Sequence, residues 1–320
     1  STVTEILNLY SSVSLLSFSE VSETGDTTGH IRIGTSTGPP TEAYAWYPYP
    51  NFYASGDIWL KSETNTYNNS SKLVDGTYWN AAIVHEIGHS LGLAHPHEAE
   101  TINGKTYGTN VSSGEVHSSL PYSVMSYAEY VGETIGSSSN NYSKPTTLMI
   151  DDIAALQYLY GINEQYNAGD NLYTLGSFSK DSLDYVYASI WDAGGNDTFS
   201  WADQSTIGAI DLNPGSFSCF GNISSVKDTD LASNTWSAGD GLLGIAYNAN
   251  IENAIGGSAS DTIAGNSSAN TLYGGAGAGV KDSLTGNGGA DIFVCSLSDA
   301  STDLSVADII SDFTDGSDKI

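Results

Sequence analysis

The two halves of this chain carry different patterns of hydrophobic and polar residues. In the first half, apolar residues recur with helical spacing over residues 77–91 and again from Leu148 to Tyr160, and Gly161 follows the second run. Helical spacing closed by a glycine predicts two helices. A shorter helix is predicted at the start of the chain, where one apolar face is formed by Val3, Ile6, Leu7 and Tyr10.

Between these helices, short runs of alternating or β-branched residues predict strands at residues 18–21, 30–35, 42–47 and 57–61. After residue 163 the pattern changes to short β-rich runs, separated by turns rich in Gly, Asn, Asp and Ser. No long helix is predicted there. Since 320 residues exceed one typical domain, we predict an α+β domain over residues 1–162 and an all-β domain over residues 163–320.

The balance of acidic and basic residues argues against two classes of binding partner. The chain has 37 acidic and 9 basic residues, a net charge of −28, and Arg32 is its one arginine. Nucleic acids and anionic membranes are bound by clustered Lys and Arg, so we expect neither as a partner. Carboxylates suit a protein that is soluble outside the cell or that binds hard cations. We expect a monomer.

The cysteines leave two alternatives open. Cys219 and Cys295 are the only two in the chain, too few for a disulfide scaffold. They form either one bridge or two small, buried, unpaired thiols.

Candidate chemistry is concentrated in IVHEIGHSLGLAHPHE, residues 83–98, which holds four of the six histidines. On a helix, His85 and His89 lie on the same face. Gly92 can end the helix and turn the chain back, which brings His95 to the same point. Three neutral imidazoles and an open fourth position are what catalytic Zn²⁺ requires. The metal would lower the pKa of a bound water, and Glu86 would take its proton as general base.

This HExxHxxGxxH motif is typical of metzincin peptidases. Together with SVMSY and LMIDDIAALQYLYG, it resembles the serralysins, a family of secreted bacterial zinc endopeptidases. The resemblance implies a metzincin catalytic fold in the first domain and a Met-turn beneath the zinc at Met125. It further implies that Tyr127 is a zinc ligand able to swing away and support the transition state. It assigns nothing to His97, which we expect to face solvent.

The resemblance also implies where a substrate binds. In this family an antiparallel edge strand above the zinc pairs with an extended peptide. The segment Ala43-Tyr44-Ala45 resembles the centre of that strand. Residues 128–136, which follow the Met-turn, are expected to form the wall of the pocket beyond the scissile bond.

Residues 256–294 repeat with a period of about nine. The copies are GGSASDTIA, GNSSANTLY, GGAGAGVKDSLT and GNGGADIFV, near-matches to the nonapeptide GGxGxDxUx, which winds into a parallel β-roll with calcium between its turns. Three copies keep the aspartate, as Asp261, Asp282 and Asp291, and the second has Asn270 instead. We therefore expect a β-sandwich with a short roll that holds several Ca²⁺ but fewer than longer-repeat relatives.

A further calcium site is implied by the segment SIWDAGGNDTFSW, residues 189–201, which resembles the serralysin segment that opens the β-domain. The resemblance implies Asp192, Gly194 and Asp197 as ligands. Opposite them it implies backbone oxygens of three residues that precede this segment, Asn167, Gly169 and Asn171.

The leading hypothesis is a secreted zinc endopeptidase of broad specificity, stabilised by calcium. Against family members, the chain lacks a propeptide, an N-terminal extension and the C-terminal secretion signal, so we expect a processed or trimmed form. Secretion by a type I exporter of a Gram-negative bacterium is implied by the resemblance alone. Two alternatives are a non-catalytic calcium-dependent adhesion or matrix module on a metzincin scaffold, and an enzyme with one dedicated peptide substrate.

Overall fold

The computed structural model divides into two compact units, Ser1–Asn163 and Glu164–Ile320. The residues that it describes are 2–25, 28–37, 43–61, 77–102, 105–107, 110, 115–129, 131, 133, 144–178, 187–220, 241–277, 279–296 and 303–320. None of the helices in those ranges is long and apolar enough to cross a membrane.

The first unit contains three helices and five short strands. In chain order they are α1 (Thr2–Val13), β1 (Ile33–Ser36), β2 (Ala43–Ala45), β3 (Ile58–Lys61), α2 (Tyr78–Ser90), β4 (Glu100–Ile102), β5 (Lys105–Tyr107) and α3 (Ile150–Tyr160). The three predicted helices are confirmed. The strand predicted at residues 18–21 is wrong, because these residues pair with no other strand in the described part of the chain.

Helix α2 has clear signals at both ends. Thr77 caps its N-terminus, where the side-chain oxygen accepts the Asn80 N–H at 3.4 Å. At the other end, Gly92 has a φ of +96°, a left-handed conformation that glycine adopts without steric cost. The N–H of Leu93 then turns back to the Gly88 carbonyl at 2.9 Å. The residues after Gly92 are thereby directed back toward the helix.

The neighbouring helices hold α2 in place through buried contacts. Tyr10 of α1 is fully buried and donates its hydroxyl to the Val84 carbonyl of α2 at 2.5 Å. Tyr160, at the end of α3, donates its hydroxyl to the Leu91 carbonyl at 2.6 Å. These hydrogen bonds tie α2 to α1 and tie the residue that follows α2 to the end of α3.

The sheet beside α2 has the order β1-β3-β2. Strand β3 pairs in parallel with β1 and antiparallel with β2, with Tyr44 opposite Trp59. This places β2 at an edge of the sheet, as the sequence predicted for residues 43–45. Arg32, just before β1, makes a two-pronged pair with Asp57, just before β3, at 2.8 and 2.7 Å.

The second unit contains β-strands and two short 3₁₀ turns, and no α-helix among its described residues. The strands are β6 (Leu172–Thr174), β7 (Tyr187–Ile190), β8 (Thr198–Ser200), β9 (Gly208–Asp211), β10 (Phe217–Phe220), β11 (Gly241–Ile245), β12 (Asn253–Ile255), β13 (Thr262–Ala264), β14 (Thr271–Tyr273), β15 (Ser283–Thr285), β16 (Ile292–Val294) and β17 (Ile309–Ile310).

These strands form two sheets, ordered β17-β15-β13-β9-β10-β11-β7 and β16-β14-β12-β8-β6. From β12 to β17 the strands alternate between the two sheets. Each pairs in parallel with the strand two positions away along the chain. The central residue of each repeat strand is buried, as Ile263, Leu272, Leu284 and Phe293. A three-residue strand with one buried side chain explains the short sequence period.

Neither cysteine forms a disulfide, and Cys219 is buried whereas Cys295 is exposed. The alternative without a bridge is therefore right. The expectation that both are buried is wrong for Cys295, because it lies just beyond the end of β16.

Candidate active site

The three predicted zinc ligands come together at the C-terminal end of α2. The Nε2 atom of His95 lies 3.1 Å from that of His85 and 3.0 Å from that of His89. Two nitrogens on a tetrahedral zinc, each about 2.0–2.1 Å from the metal, are separated by roughly 3.3 Å. The three nitrogens are therefore already spaced as ligands of a single ion.

The other nitrogen of each ring is held by an oxygen acceptor. The Nδ1 atom of His85 lies 2.9 Å from the Val124 carbonyl, that of His89 2.8 Å from the Leu93 carbonyl, and that of His95 2.9 Å from Glu98 Oε2. A carbonyl can only accept, so the proton of a neutral ring sits on Nδ1 and leaves the Nε2 lone pair for a metal.

Burial favours the uncharged form of these rings. Burial, together with the neighbouring histidines, lowers the pKa of His85 to about 3 and that of His89 to about 4. Both imidazoles are neutral at physiological pH, as metal ligation requires. The donor set, its spacing and its protonation state all suit Zn²⁺.

Glu86 lies beside this cluster on α2 and is buried. Its Oε2 atom has no hydrogen-bond partner in the described part of the chain. Burial raises the pKa of Glu86 to about 7, and a hydrogen bond with the Ala45 backbone works in the opposite direction. A carboxylate with one free oxygen and a pKa near neutrality can take a proton and return it.

Tyr127 covers one side of the histidine cluster. Its ring is stacked on His85, with centroids 5.6 Å apart, and lies 4.6 Å from the ring of His95. The side chain stays 48 % exposed. Burial of the remainder, together with Glu86 and Glu98, raises the pKa of Tyr127 to about 12, so the hydroxyl keeps its proton. Its role as a zinc ligand remains a prediction.

His97 does not face solvent, which corrects the expectation from sequence. Only 4 % of the residue is exposed, and its ring lies 5.1 Å from that of His95 and 4.8 Å from that of Tyr127. Neither ring nitrogen has a hydrogen-bond partner among the residues that the structure describes. The sequence could not reveal this packing, because it depends on a tyrosine thirty positions away.

Met125 is 1 % exposed and packs against Gly88 of α2; its place beneath a zinc ion remains a prediction. The turn around it is anchored by Asp152 of α3. The Asp152 carboxylate accepts the Ser123 hydroxyl at 2.7 Å, the Val124 N–H at 2.8 Å and the Met149 N–H at 3.0 Å. Since the Val124 carbonyl orients His85, Asp152 supports a zinc ligand through this turn. Sequence reasoning missed both Asp152 and Glu98.

The segment predicted to wall the pocket is described only at residues 128, 129, 131 and 133; the other positions in 128–136 lie outside the described residues. Glu129 is buried and pairs with buried Lys144, and its N–H is bonded to Glu133. A buried ion pair needs such close partners to offset desolvation. The binding roles of this segment and of Ala43, Tyr44 and Ala45 remain predictions.

Two buried aspartates mark the predicted calcium loop in the second unit. Asp192 accepts the Tyr173 hydroxyl and the Gly194 N–H, and Asp197 accepts the Asn171 N–H at 2.7 Å. The Oδ2 atom of Asp197 is buried without a partner among the described residues. Burial, with Asp192 and Glu252 nearby, raises the pKa of Asp197 to about 6.

The opposite side of this loop is backbone. A Cβ on Gly195 would lie 2.6 Å from the Gly169 carbonyl oxygen, so the two segments approach as closely as only glycine allows. The Asn171 side chain faces the carbonyl oxygens of Asn167 and Gly169. Backbone carbonyls suit Ca²⁺, as does Asp197 Oδ2, which has no hydrogen-bond partner among the described residues. The Asn171 carbonyl itself accepts the Thr198 N–H of β8 at 2.9 Å. Tyr173 and Glu252 were missed by sequence reasoning.

The repeat aspartates accept backbone N–H groups of stacked loops. Asp261 accepts from Gly208, Asp282 from Asp261, and Asp291 from Asn270. The ladder continues past the predicted repeats through Asp308, Asp312 and Asp318. These three aspartates are not spaced nine residues apart, so the nonapeptide period did not reveal them in the sequence.

Comparison with known proteins yields two family matches. The family described as "Peptidase M10 serralysin C terminal" matches residues 152–320, and the family described as "Matrixin" matches residues 1–119. "Serralysin" from Proteus mirabilis is 33 % identical over 286 residues, covering 83 % of this chain and 53 % of the relative. "Metallopeptidase AprA" from Pseudomonas marginalis is 35 % identical over 285 residues, with 82 % and 53 % covered.

"Serralysin B" from Dickeya chrysanthemi is 38 % identical over 239 residues, covering 71 % of this chain and 44 % of the relative. The chain thus spans about half the length of these relatives.

Proposed function

We propose that this chain, which belongs to the serralysin family of M10 peptidases, is a zinc-dependent endopeptidase that hydrolyses peptide bonds of proteins. One observation carries the proposal: the Nε2 atoms of three oriented histidines converge beside Glu86, a buried carboxylate with one oxygen that has no partner among the described residues. A module that had lost catalysis would have no reason to keep this carboxylate buried at a cost in desolvation.

His85, His89 and His95 would hold the metal, and bound zinc supplies a Lewis acid that polarises a carbonyl and activates water. Glu86 takes the proton of the attacking water and later returns it to the amine nitrogen of the leaving product. Its pKa near 7 suits both transfers. Tyr127 keeps its phenolic proton and donates a hydrogen bond to the oxyanion that develops from the substrate carbonyl.

Strand β2 offers the substrate a place to pair. It lies at the edge of its sheet, and the backbone of its last residue, Ala45, is hydrogen-bonded to Glu86. An extended peptide added along Ala43–Ala45 would therefore pass over the base. Recognition through backbone hydrogen bonds does not depend on side-chain identity, which favours broad specificity toward unfolded proteins.

We assign the second unit to a calcium-stabilised β-sandwich that continues into a short parallel β-roll. The loop with Asp192, Gly194 and Asp197 would hold one Ca²⁺, and Asp261, Asp282 and Asp291 would contribute to others. Each of these aspartates is buried, and a buried carboxylate needs a cation or hydrogen bonds to remain ionised. The proposal places the enzyme outside the cell as a monomer.

The test compares casein hydrolysis by the full chain with that by Glu86→Gln, which keeps the shape of the side chain but cannot accept the proton. We expect hydrolysis to fall by at least about 100-fold while zinc per chain, measured by elemental analysis, stays unchanged. Glu5→Gln, an exposed glutamate on α1, is the matched control and should retain full activity.

The same assay separates the alternatives. Cleavage of a defined peptide by a protein that leaves casein intact would favour a dedicated substrate. Zinc bound by a protein that cleaves neither would favour the adhesion or matrix module and would sink the proposed function.

A further inference from the structure

The loops of the repeat region lie along two edges, because the strands that they connect alternate between two sheets. The loops that end at Asp261 and Asp282 lie at one edge; in the second, residue 278 is outside the described residues. Loop 265–270 lies at the other edge and ends at Asn270, which occupies the repeat position equivalent to Asp261. We call these the carboxylate edge and the asparagine edge.

At the carboxylate edge, carboxylate oxygens accept backbone N–H groups. Asp261 accepts the Gly208 N–H at 2.6 Å and the Gly257 N–H at 2.5 Å, and Asp282 accepts the Asp261 N–H at 2.8 Å. Negative charge at this edge is available to a cation.

At the asparagine edge, side-chain amides donate to backbone carbonyls instead. The Nδ2 group of Asn266 donates to the Ile251 carbonyl at 2.8 Å and to the Leu212 carbonyl at 3.1 Å. The Nδ2 group of Asn270 donates to the Glu252 carbonyl at 2.9 Å and to Asn266 Oδ1 at 3.1 Å. Both residues are 1 % exposed.

The orientation of both amides is fixed from both ends. A backbone carbonyl can only accept, so the atom facing it must be the NH₂ group. At the other end, Asn270 Oδ1 accepts the Asn266 N–H at 2.8 Å, and Asn266 Oδ1 accepts the Ser268 N–H at 2.9 Å. If either amide were reversed, its oxygen would face a carbonyl oxygen and its NH₂ group would face a backbone N–H.

Calcium binds six to eight oxygens, among them backbone carbonyls and carboxylates, and its affinity depends on ligand charge. At the asparagine edge the carbonyls of Leu212, Ile251 and Glu252 are already satisfied by amide hydrogens, and the loop has lost the repeat carboxylate. We propose that Asn266 and Asn270 replace a calcium ion between loops 246–252 and 265–270, and that this part of the edge is stable without calcium.

The inference rests on the calcium-binding part of the proposed function. Its test uses the full chain with zinc held constant, and measures calcium per chain by elemental analysis and the unfolding midpoint by calorimetry, with and without calcium. Asn270→Ala should leave calcium per chain unchanged. It should lower the midpoint by roughly 3–10 °C under both conditions, since buried carbonyls lose their donors.

Two reciprocal variants sharpen the test. Without calcium, Asn270→Asp should have a lower unfolding midpoint than wild type. With calcium, its midpoint should return to the wild-type value, and it should bind one more calcium per chain. Asp261→Asn, at the equivalent position of the carboxylate edge, should bind one fewer calcium and lose stability only when calcium is present. Together they exchange the chemistry of the two edges.

A loss of one calcium in Asn270→Ala would make Asn270 a ligand and overturn the inference. An unchanged midpoint of that variant in calcium-free buffer would overturn it equally, because the amide would then support nothing. Wild type without any bound calcium would remove both the inference and the calcium assignment, while casein hydrolysis reports on the protease separately.

Discussion

Met125 occupies the space that a side chain on Gly88 would need. A Cβ built on Gly88 would lie 2.5 Å from the Met125 sulfur, a separation that real Cβ atoms do not reach. Gly88 lies in the middle of α2, between zinc ligands His85 and His89, so the methionine of the turn packs directly against the helix that carries the ligands. The close packing requires glycine on one side and a buried methionine on the other.

We therefore predict that Gly88→Ala displaces Met125. Overpacking costs about 1–3 kcal/mol and is partly offset by about 1 kcal/mol of helix propensity. The free energy of unfolding in urea should fall by up to about 2 kcal/mol. Zinc affinity should fall as well, because the ligand-bearing helix shifts.

A double-mutant cycle isolates this contact. In a Met125→Ala background, Gly88→Ala should cost nothing or stabilise, since the space is then free. Gly25→Ala is the control, because no atom of the described residues, its chain neighbours aside, lies within 4 Å of a Cβ at that glycine. Equal costs of Gly88→Ala in both backgrounds would show that the contact does not limit stability.

The convergence of the three histidines was predictable from sequence because their geometry is local. His85 and His89 are related by one helical turn, and Gly92 reverses the chain within three residues of His95. The strand at 18–21 was predicted wrongly for the opposite reason. Alternation alone cannot supply a neighbouring strand, and four residues without a partner do not form a ladder.

The supporting residues were not predictable, because contacts between distant segments define them. Asp152 reaches the turn at Ser123 and Val124 from another helix, and Glu252 reaches Asp197 across 55 positions. The repeat pattern likewise ended at residue 294 in sequence, whereas the ladder of carboxylates continues to Asp318. Spacing reveals a periodic or helical site, but it does not reveal the groups that orient it.

Asp152 gives a prediction about pH. Burial raises its pKa to about 7, while three hydrogen bonds oppose the rise. A folded-state pKa above the unfolded value near 3.8 means that the contribution of this group to stability is complete below about pH 4 and is lost as pH rises through 7. Asp152→Asn cannot ionise, so its stability relative to wild type should increase between pH 5 and pH 8.

Urea unfolding of both proteins across that range, with zinc and calcium fixed, measures the difference. Asp152→Ala is the companion variant and should lose about 2–4 kcal/mol at every pH, because the N–H groups of Val124 and Met149 lose their acceptor. A constant difference between wild type and Asp152→Asn would mean that the three donors keep the carboxylate ionised throughout.

Glu98 should control zinc affinity without contacting the metal. Its Oε2 atom holds His95 Nδ1 at 2.9 Å, and this pairing lowers the pKa of Glu98. Removing such a partner of a metal-bound histidine costs about 10–100-fold in metal affinity. We expect Glu98→Ala to show that loss in chelator competition and Glu98→Gln a smaller one, since its amide oxygen still accepts. Glu115→Ala, another exposed glutamate of this unit, should bind zinc like wild type.

Removing the buried ring nitrogens of His97, of which Nε2 lies 3.8 Å from Glu98 Oε1, should have little effect on stability. The ring packs against His95 and Tyr127, and neither nitrogen is hydrogen-bonded within the described ranges. Phenylalanine keeps an aromatic ring and removes two buried polar atoms. The free energy of unfolding of His97→Phe should therefore lie within about 1 kcal/mol of the wild-type value. His97→Ala loses the packing and should cost about 2 kcal/mol or more. Zinc per chain is measured alongside, so that loss of metal is not mistaken for loss of packing. If His97→Phe proved as unstable as His97→Ala, the nitrogens would have a polar partner outside the described ranges, and the packing account of this residue would fail.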